Sequence, residues 1–479
     1  RYVERAFDGY LKCGILARGF ARAFCATCKK NLLVAFSCRG RGVCPSCGAR
    51  RMYDVAARLV DHVLPDVPLR QWVLALPYSL RGLCSVRTEV LNAVAKLFVE
   101  EVFRWQREQV QAGAKLHGAA VLAVQRFGGS LNLAPHLHLC AADGVWDDDG
   151  RFEPTPRPSA LDLAQVAARV AKRAARWLRR RGFWCDDSTP EREPGTQAQL
   201  AQASLRLGAL GTVDHEGRVT PLARRLAVRR EALKTKAVAA GFDLHADVAT
   251  GPGDREGRER LARYLLRPPL CLERLSLTAD GRIAYERKYQ SAGASHVVMT
   301  PTEFLTRLGA LVFPPRHPIL RYHGAFAANH KLRSRIVPKS HAGAAAPPVE
   351  SGPSPSASSP PIVPAPRRVR VEDSVAAAAG ADTSSAAAAA PSAPKSAPRS
   401  VPRTALGGVN KPLDWATLLK RVWSIDALAC PCGGRLRFIA VITEPEPIAD
   451  ILLAMGLEPR PPARAGPRHA ELPWECYEP

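Results

Sequence analysis

Six of the chain's thirteen cysteines fall between Cys13 and Cys47, and four of those form two pairs, Cys25-x2-Cys28 and Cys44-x2-Cys47. A CxxC pair presents two thiolates from one tight turn, and two such pairs complete a tetrahedral zinc shell. The fifteen residues between Cys28 and Cys44 lie in the usual range for a zinc ribbon. A disulfide framework belongs to small secreted chains. This chain has 479 residues and no secretory pattern opens it. The expected reading is a structural Zn2+ site held by Cys25, Cys28, Cys44 and Cys47, with Cys13 and Cys38 left over as candidates to exchange into the shell.

The cysteines stand among cations: Arg18, Arg22, Lys29, Lys30, Arg39, Arg41, Arg50 and Arg51. A zinc knot with a basic rim suits phosphate contact. Over the whole chain, 68 Lys plus Arg against 44 Asp plus Glu leave a formal charge of +24. That excess points to a polyanionic partner, nucleic acid before an anionic membrane surface. Apolar runs such as residues 118 to 124 are far short of the ~20 residues that span a bilayer, so no membrane span is expected.

Composition divides the chain into four parts: a Cys/Arg/Gly-rich domain at 1–55, ordered globular sequence at 68–337, an Ala/Pro/Ser stretch at 340–405, and a C-terminal segment at 406–479. The third part lacks the apolar residues to offset its ordering entropy and reads as a disordered linker. In the second part, strands are expected at 70–78, 119–127 and 136–144, and helices at 87–113, 160–181 and 254–267. A hairpin turning at Asp280-Gly281 is expected over 275–287. Thr300 and Glu303 have the form of a capping box before another helix. The fold class is α+β. Residues 185–250 carry no clear pattern.

Several motifs carry chemistry. His136-Leu137-His138 puts two imidazoles on one face of a strand, where they suit one divalent ion, and turns Leu137 to the core. Gln125 on the preceding strand is a candidate third ligand if the two strands pair antiparallel. Tyr264, near the end of a helix among Arg260, Arg263 and Arg267, is a candidate nucleophile towards a metal-polarised phosphate. Tyr285 and Tyr289 are also four apart with Tyr, but they follow the hairpin turn and read as strand residues. Arg321, Tyr322 and His323 interleave cations with an aromatic ring, as suits stacking on unpaired bases. Cys430-Pro431-Cys432 is half a metal site at best.

Together these residues resemble rolling-circle insertion-sequence transposases of the tyrosine HUH type, related to the insertion-sequence common-region elements. The likeness rests on CATCKKNLLVAFSCRGRGVCPSCGARRM (25–52), RQWVLALPYSLR (70–81), QRFGGSLNLAPHLHLCAADGVW (125–146), ARYLLRPPLCLERL (262–275), LVFPPRHPILRYHGAFAANHKLR (311–333) and the tail block 415–442. The resemblance implies a zinc-ribbon-like N-terminal domain and a HUH endonuclease domain whose central antiparallel sheet, flanked by helices, presents His136 and His138 and whose helix presents Tyr264. It further implies catalytic Mg2+ or Mn2+, a mainly single-stranded DNA partner, a 5′-phosphotyrosine intermediate and a place on the bacterial nucleoid in the cytoplasm. Arg18, Arg22, Arg39, Arg41, Arg50, Arg51, Arg263, Arg267, Arg321 and His323 are the expected DNA contacts. Some members carry a second tyrosine four residues on, where this chain has Pro268, so a single-tyrosine cycle is expected. Replication initiators and relaxases share the chemistry. A zinc-ribbon DNA-binding regulator with a decayed nuclease site is the non-enzymatic alternative.

Overall fold

The computed structural model describes residues 2–40, 42–110, 115–183, 204, 209–221, 236–291, 294–338, 415–423 and 425–461. The chain forms two units, a larger one of residues 1–10, 39–363 and 401–425 and a smaller one of 11–38, 364–400 and 426–479. Both mix helices with antiparallel sheet, as α+β sequence patterning requires. The stretch expected to be a linker, 340–405, lies outside the described residues.

The larger unit is built on an antiparallel sheet. Its strands run in the order Lys236–Ala239, Phe242–His245, Leu69–Ala75, Leu133–Ala142, Ala119–Phe127 and Leu320–Gly324, with Ala249–Thr250 added beside the start of Leu69–Ala75. Side chains alternate between two apolar layers. Leu137, Leu139 and Ala141 join Trp72, Leu74, Leu122 and Val124 in the layer that also holds the helices Thr88–Glu108 and Ala160–Arg180. Cys140 and Ala142 join Leu69, Val121 and Ala123 in the other layer, with the helices Pro45–His62 and Arg255–Leu265. By the same period, His136, His138, Gln71 and Gln125 share the second face.

Buried charge ties this sheet at one end. Arg70 Nε and Nη2 donate to the Asp143 carboxylate at 2.9 and 2.6 Å, and Arg70 Nη1 donates to the Ala246 carbonyl at 3.0 Å. Both side chains are buried. The pair pins Leu69–Ala75 to the end of Leu133–Ala142, at the opposite end of the two strands from His136.

A second sheet of the larger unit runs Leu275–Leu277, Ile283–Ser291, Ala294–Met299, Ala209–Val213 and Val219–Pro221. Its first two strands are the expected hairpin. The capping box of Thr300 and Glu303 starts the helix Pro301–Leu311, and Phe304 and Leu308 pack against Tyr285, Val297 and Met299. Three strands across residues 209–239, with Phe242–His245 and Ala249–Thr250, occupy the region whose sequence carried no pattern. Strands of two to five residues are too short to show a period.

The smaller unit is a three-stranded sheet in which Phe20–Cys25 lies between Asn31–Ala35 and Leu436–Ile442. Phe20 packs with Ile448 and Leu452 of the helix Pro445–Ala454. The N-terminal region expected as one domain at 1–55 is therefore divided. Residues 11–38 fold with the chain's C-terminal segment, while Cys44 and Cys47 belong to the helix Pro45–His62, which runs through the expected boundary into the larger unit.

Candidate functional site

The strand Leu133–Ala142 lies between Leu69–Ala75 and Ala119–Phe127, and the register sets Gln125 opposite His136 and both Val73 and Ala123 opposite His138. The two imidazoles meet edge to face with ring centroids 4.7 Å apart. The helix Arg255–Leu265, capped at its start by Asp254 accepting from the Gly257 N–H, lays Tyr264 beside them. The His138 and Tyr264 rings are 5.5 Å apart, and the Arg267 guanidinium lies over the Tyr264 ring at 4.9 Å. Tyr264 is 38% exposed, so its side chain is open to solvent.

The hydrogen bonds decide how far the imidazoles suit a metal. His136 Nδ1 stands 2.8 Å from the Ala134 carbonyl. A carbonyl only accepts, so Nδ1 carries the proton and Nε2 keeps its lone pair, as metal-binding histidines require. His138 Nδ1 accepts from the Gln71 side-chain nitrogen at 3.0 Å, which puts the ring proton on Nε2, and among the described residues Nε2 is buried with no hydrogen-bond partner. With the Gln71 amide turned so that its oxygen faces Nδ1, Nε2 would carry the lone pair and, beside the second imidazole, would fit a divalent ion.

Burial pulls the His136 ring down to about 4, and His138 well below its ordinary value, with the neighbouring His136 and Arg267 adding to the effect on His138. Burial likewise takes His323 down to about 4. The unfolded chain takes up these protons near pH 6.5, before the folded one does, so stability must fall as pH drops from about 6.5 to about 4. The carboxylates of Asp148, beside Lys331 and His117, and Asp280, beside Arg282, are held at about 2 and act only at lower pH. Denaturant unfolding of the metal-free protein should lose about 2 kcal/mol for each such histidine between pH 7 and pH 5. His136→Gln should reduce that loss, and an unchanged loss would assign the proton uptake to other groups.

Gln125 has another task than the one its spacing suggests. Its amide nitrogen donates to the carbonyls of Tyr264 and Leu265 at 2.8 and 3.2 Å, and its oxygen accepts from Arg267 Nε at 3.3 Å. It thereby satisfies end carbonyls of the tyrosine helix that have no partner within the helix. The candidate third metal ligand is thus a tether for the helix end, its oxygen already engaged. Gln71, which sequence reasoning missed, is the amide that touches an imidazole. Its one signal is a lone amide inside the buried run LRQWVLA.

The other expected residues fall in different places. Arg18, Arg39 and Arg50 are exposed. Arg22 Nε donates to Asn31, and Arg51 donates to the Arg39 carbonyl. Arg263 lies over the Tyr53 ring. Arg321 bonds Asn92 from the edge strand Leu320–Gly324, where it and His323 are half-buried. Arg41 lies outside the described residues. Tyr285 is core, as its place in the hairpin requires.

The expected zinc shell of Cys25, Cys28, Cys44 and Cys47 is not what the cysteines form. Cys25 and Cys28 gather instead with Cys430 and Cys432, all four sulfurs within 4.8 Å of one another. The thiol of Cys25 is held down at about 6, first by the Cys28 backbone N–H aimed at its sulfur. Cys44 caps the helix Pro45–His62 and Cys47 sits in its first turn, both in the larger unit. In the smaller unit, the Cys38 N–H donates to Cys13 Sγ at 3.3 Å.

The larger unit thus presents paired histidines and a helical tyrosine on one sheet face, and the smaller unit carries a cluster of four cysteines. A family model described as "Putative transposase" matches residues 119–334, and one described as "Transposase zinc-binding domain" matches residues 1–76. The chain is therefore similar to insertion-sequence transposases along its N-terminal and central segments. It is 23% identical over 338 residues to the transposase for insertion sequence element IS801 of Pseudomonas savastanoi pv. phaseolicola, covering 69% of this chain and 71% of that one. No solved structure matches. No helix among the described residues is long and apolar enough to cross a membrane.

Proposed function

We propose that the chain is a transposase that nicks and rejoins single-stranded DNA at element ends, with Tyr264 as nucleophile and His136 and His138 as the holders of Mg2+ or Mn2+. The observation that carries the reading is the packing of the Tyr264 ring against His138, on the sheet face that also bears His136. The Tyr264 hydroxyl oxygen attacks the scissile phosphorus. The bond from phosphorus to the 3′ oxygen breaks, and that oxygen leaves as a hydroxyl after taking a proton. The 5′ phosphate stays on the tyrosine as an ester, so a second 3′ hydroxyl can displace it without an external energy source. Held by His136 and His138, a divalent ion would supply positive charge to the phosphate.

Around this centre the chain's own groups position the nucleophile. Gln125 holds the end of the tyrosine helix, and Arg267 stacks on the ring. Turned to put its oxygen at His138 Nδ1, in place of the nitrogen that stands there, the Gln71 amide would select the tautomer that frees Nε2. The exposed Arg18, Arg39 and Arg50 are suited to the DNA backbone. The site of action is the nucleoid DNA of a bacterial cytoplasm.

The test is a covalent protein–oligonucleotide band on a denaturing gel, with a single-stranded substrate and Mg2+ or Mn2+ present. The parent should form the band and His136→Ala, His138→Ala should lose it. Equal rates would remove the His pair from the mechanism. Joining of two DNA ends separates a transposase cycle from that of a replication initiator, and a parent that forms no band would point to a DNA-binding regulator.

A further inference from the structure

We infer that the chain holds a structural zinc ion between its two ends, in a four-thiolate site made by Cys25 and Cys28 with Cys430 and Cys432. The zinc-binding family model ends at residue 76, so it accounts for only half of this shell. The Cys25 and Cys432 sulfurs are 3.6 Å apart, and so are those of Cys28 and Cys430. A tetrahedral zinc with sulfurs at about 2.3 Å sets its ligand atoms about 3.8 Å apart. The four thiols are therefore already close to the edges of such a tetrahedron.

The backbone on both sides is shaped for this approach. Cys25 N–H donates to the Lys30 carbonyl at 3.0 Å, and Lys29 takes φ +56° to close that turn. Across from it, Cys430 N–H donates to the Gly434 carbonyl at 2.9 Å, and Gly433 sits at φ +84°. A Cβ on Gly434 would lie 2.5 Å from Thr27 Oγ1 and 2.9 Å from Cys25 Sγ, so only glycine lets the two turns meet. The adjoining strands are paired, with Cys25 opposite Leu436. Two facing turns at the end of a sheet, each giving two thiolates, make a zinc ribbon assembled from segments some 400 residues apart. The Cys-x-Cys spacing at 430–432 is sufficient because the other turn supplies the wider pair.

The experiment counts zinc in the full-length purified protein by elemental mass spectrometry. Cys430→Ser, Cys432→Ser should carry about one zinc equivalent less than the parent, and Cys25→Ser, Cys28→Ser should lose the same one. The four substitutions together should lose no more than either pair. Amide exchange within residues 20–25 should accelerate in the tail variant, because the metal holds that strand to its partner. If the serine variants do not fold, Cys432→His serves in their place, since imidazole replaces thiolate at zinc. It should keep the metal and, in cobalt-loaded protein, shift the visible bands of a four-sulfur site. Unchanged zinc in the tail variant, a loss of two equivalents from the fourfold variant, or unshifted cobalt bands in Cys432→His would overturn the assignment. None of these readouts depends on Tyr264 or DNA cleavage.

Discussion

Tyr264→Phe should fold, bind single-stranded DNA with little change, and form no covalent adduct. The substitution removes one oxygen and keeps the ring. The stacking of Arg267 and the edge contact with His138 involve that ring, so both persist. Gln125 holds the helix by backbone carbonyls and is indifferent to the hydroxyl. The attacking atom, however, is gone, and losing a nucleophile typically slows the chemical step by at least about a thousandfold. Tyr285→Phe should leave the adduct intact, since Tyr285 is buried in the core between Val297 and Leu275. The comparison is one gel with labelled oligonucleotide and one binding titration. An adduct from Tyr264→Phe alongside none from Tyr285→Phe would move the chemistry to the second sheet.

Asp143→Ala should cost the larger unit about 3–5 kcal/mol, the usual penalty for leaving a buried charge without its partner. Arg70 would keep its bond to the Ala246 carbonyl but lose both contacts to the carboxylate. The sheet would then carry an unpaired guanidinium where Leu69–Ala75 meets Leu133–Ala142. Replacing both partners by apolar residues, as Arg70→Met with Asp143→Leu, should recover much of the loss, because the expense lies in the orphaned charge. Urea unfolding followed by the fluorescence of the buried Trp72 and Trp105 reports on this region. A loss below about 1 kcal/mol for Asp143→Ala would show that water reaches Arg70.

The histidine strand and the tyrosine helix were legible because each has a period that survives in one dimension. His136 and His138 are two apart on a strand, and the leucines beside them mark the opposite face. The hairpin at Asp280-Gly281 and the cap at Thr300 were legible for the same local reason. Gln125 was assigned to the right face and the wrong partner. An amide can donate or accept, and only the position of the helix end shows that it does both. Gln71 gave little signal, since a buried strand is apolar on both faces and spacing does not say which side holds the imidazoles. The cysteine set failed differently. Spacing favours pairs close in sequence, whereas the sulfurs that meet Cys25 and Cys28 lie 407 and 402 residues away. No local pattern records a contact of that range.

The sheet of the smaller unit also sets a timetable for the newborn chain. Phe20–Cys25 leaves the ribosome early, but its neighbour Leu436–Ile442 is made some 400 residues later. At roughly 5–20 residues per second, the first strand waits about 20–80 s for its partner. Throughout that interval one edge of it has no strand to bond, the condition that invites pairing with another molecule. A transcript cut short, or a ribosome that stalls in the Ala/Pro/Ser region, yields a chain that carries the histidines and the tyrosine but cannot close this sheet. Synthesis through Leu436–Ile442 is thereby written into the fold as a condition for closing this sheet.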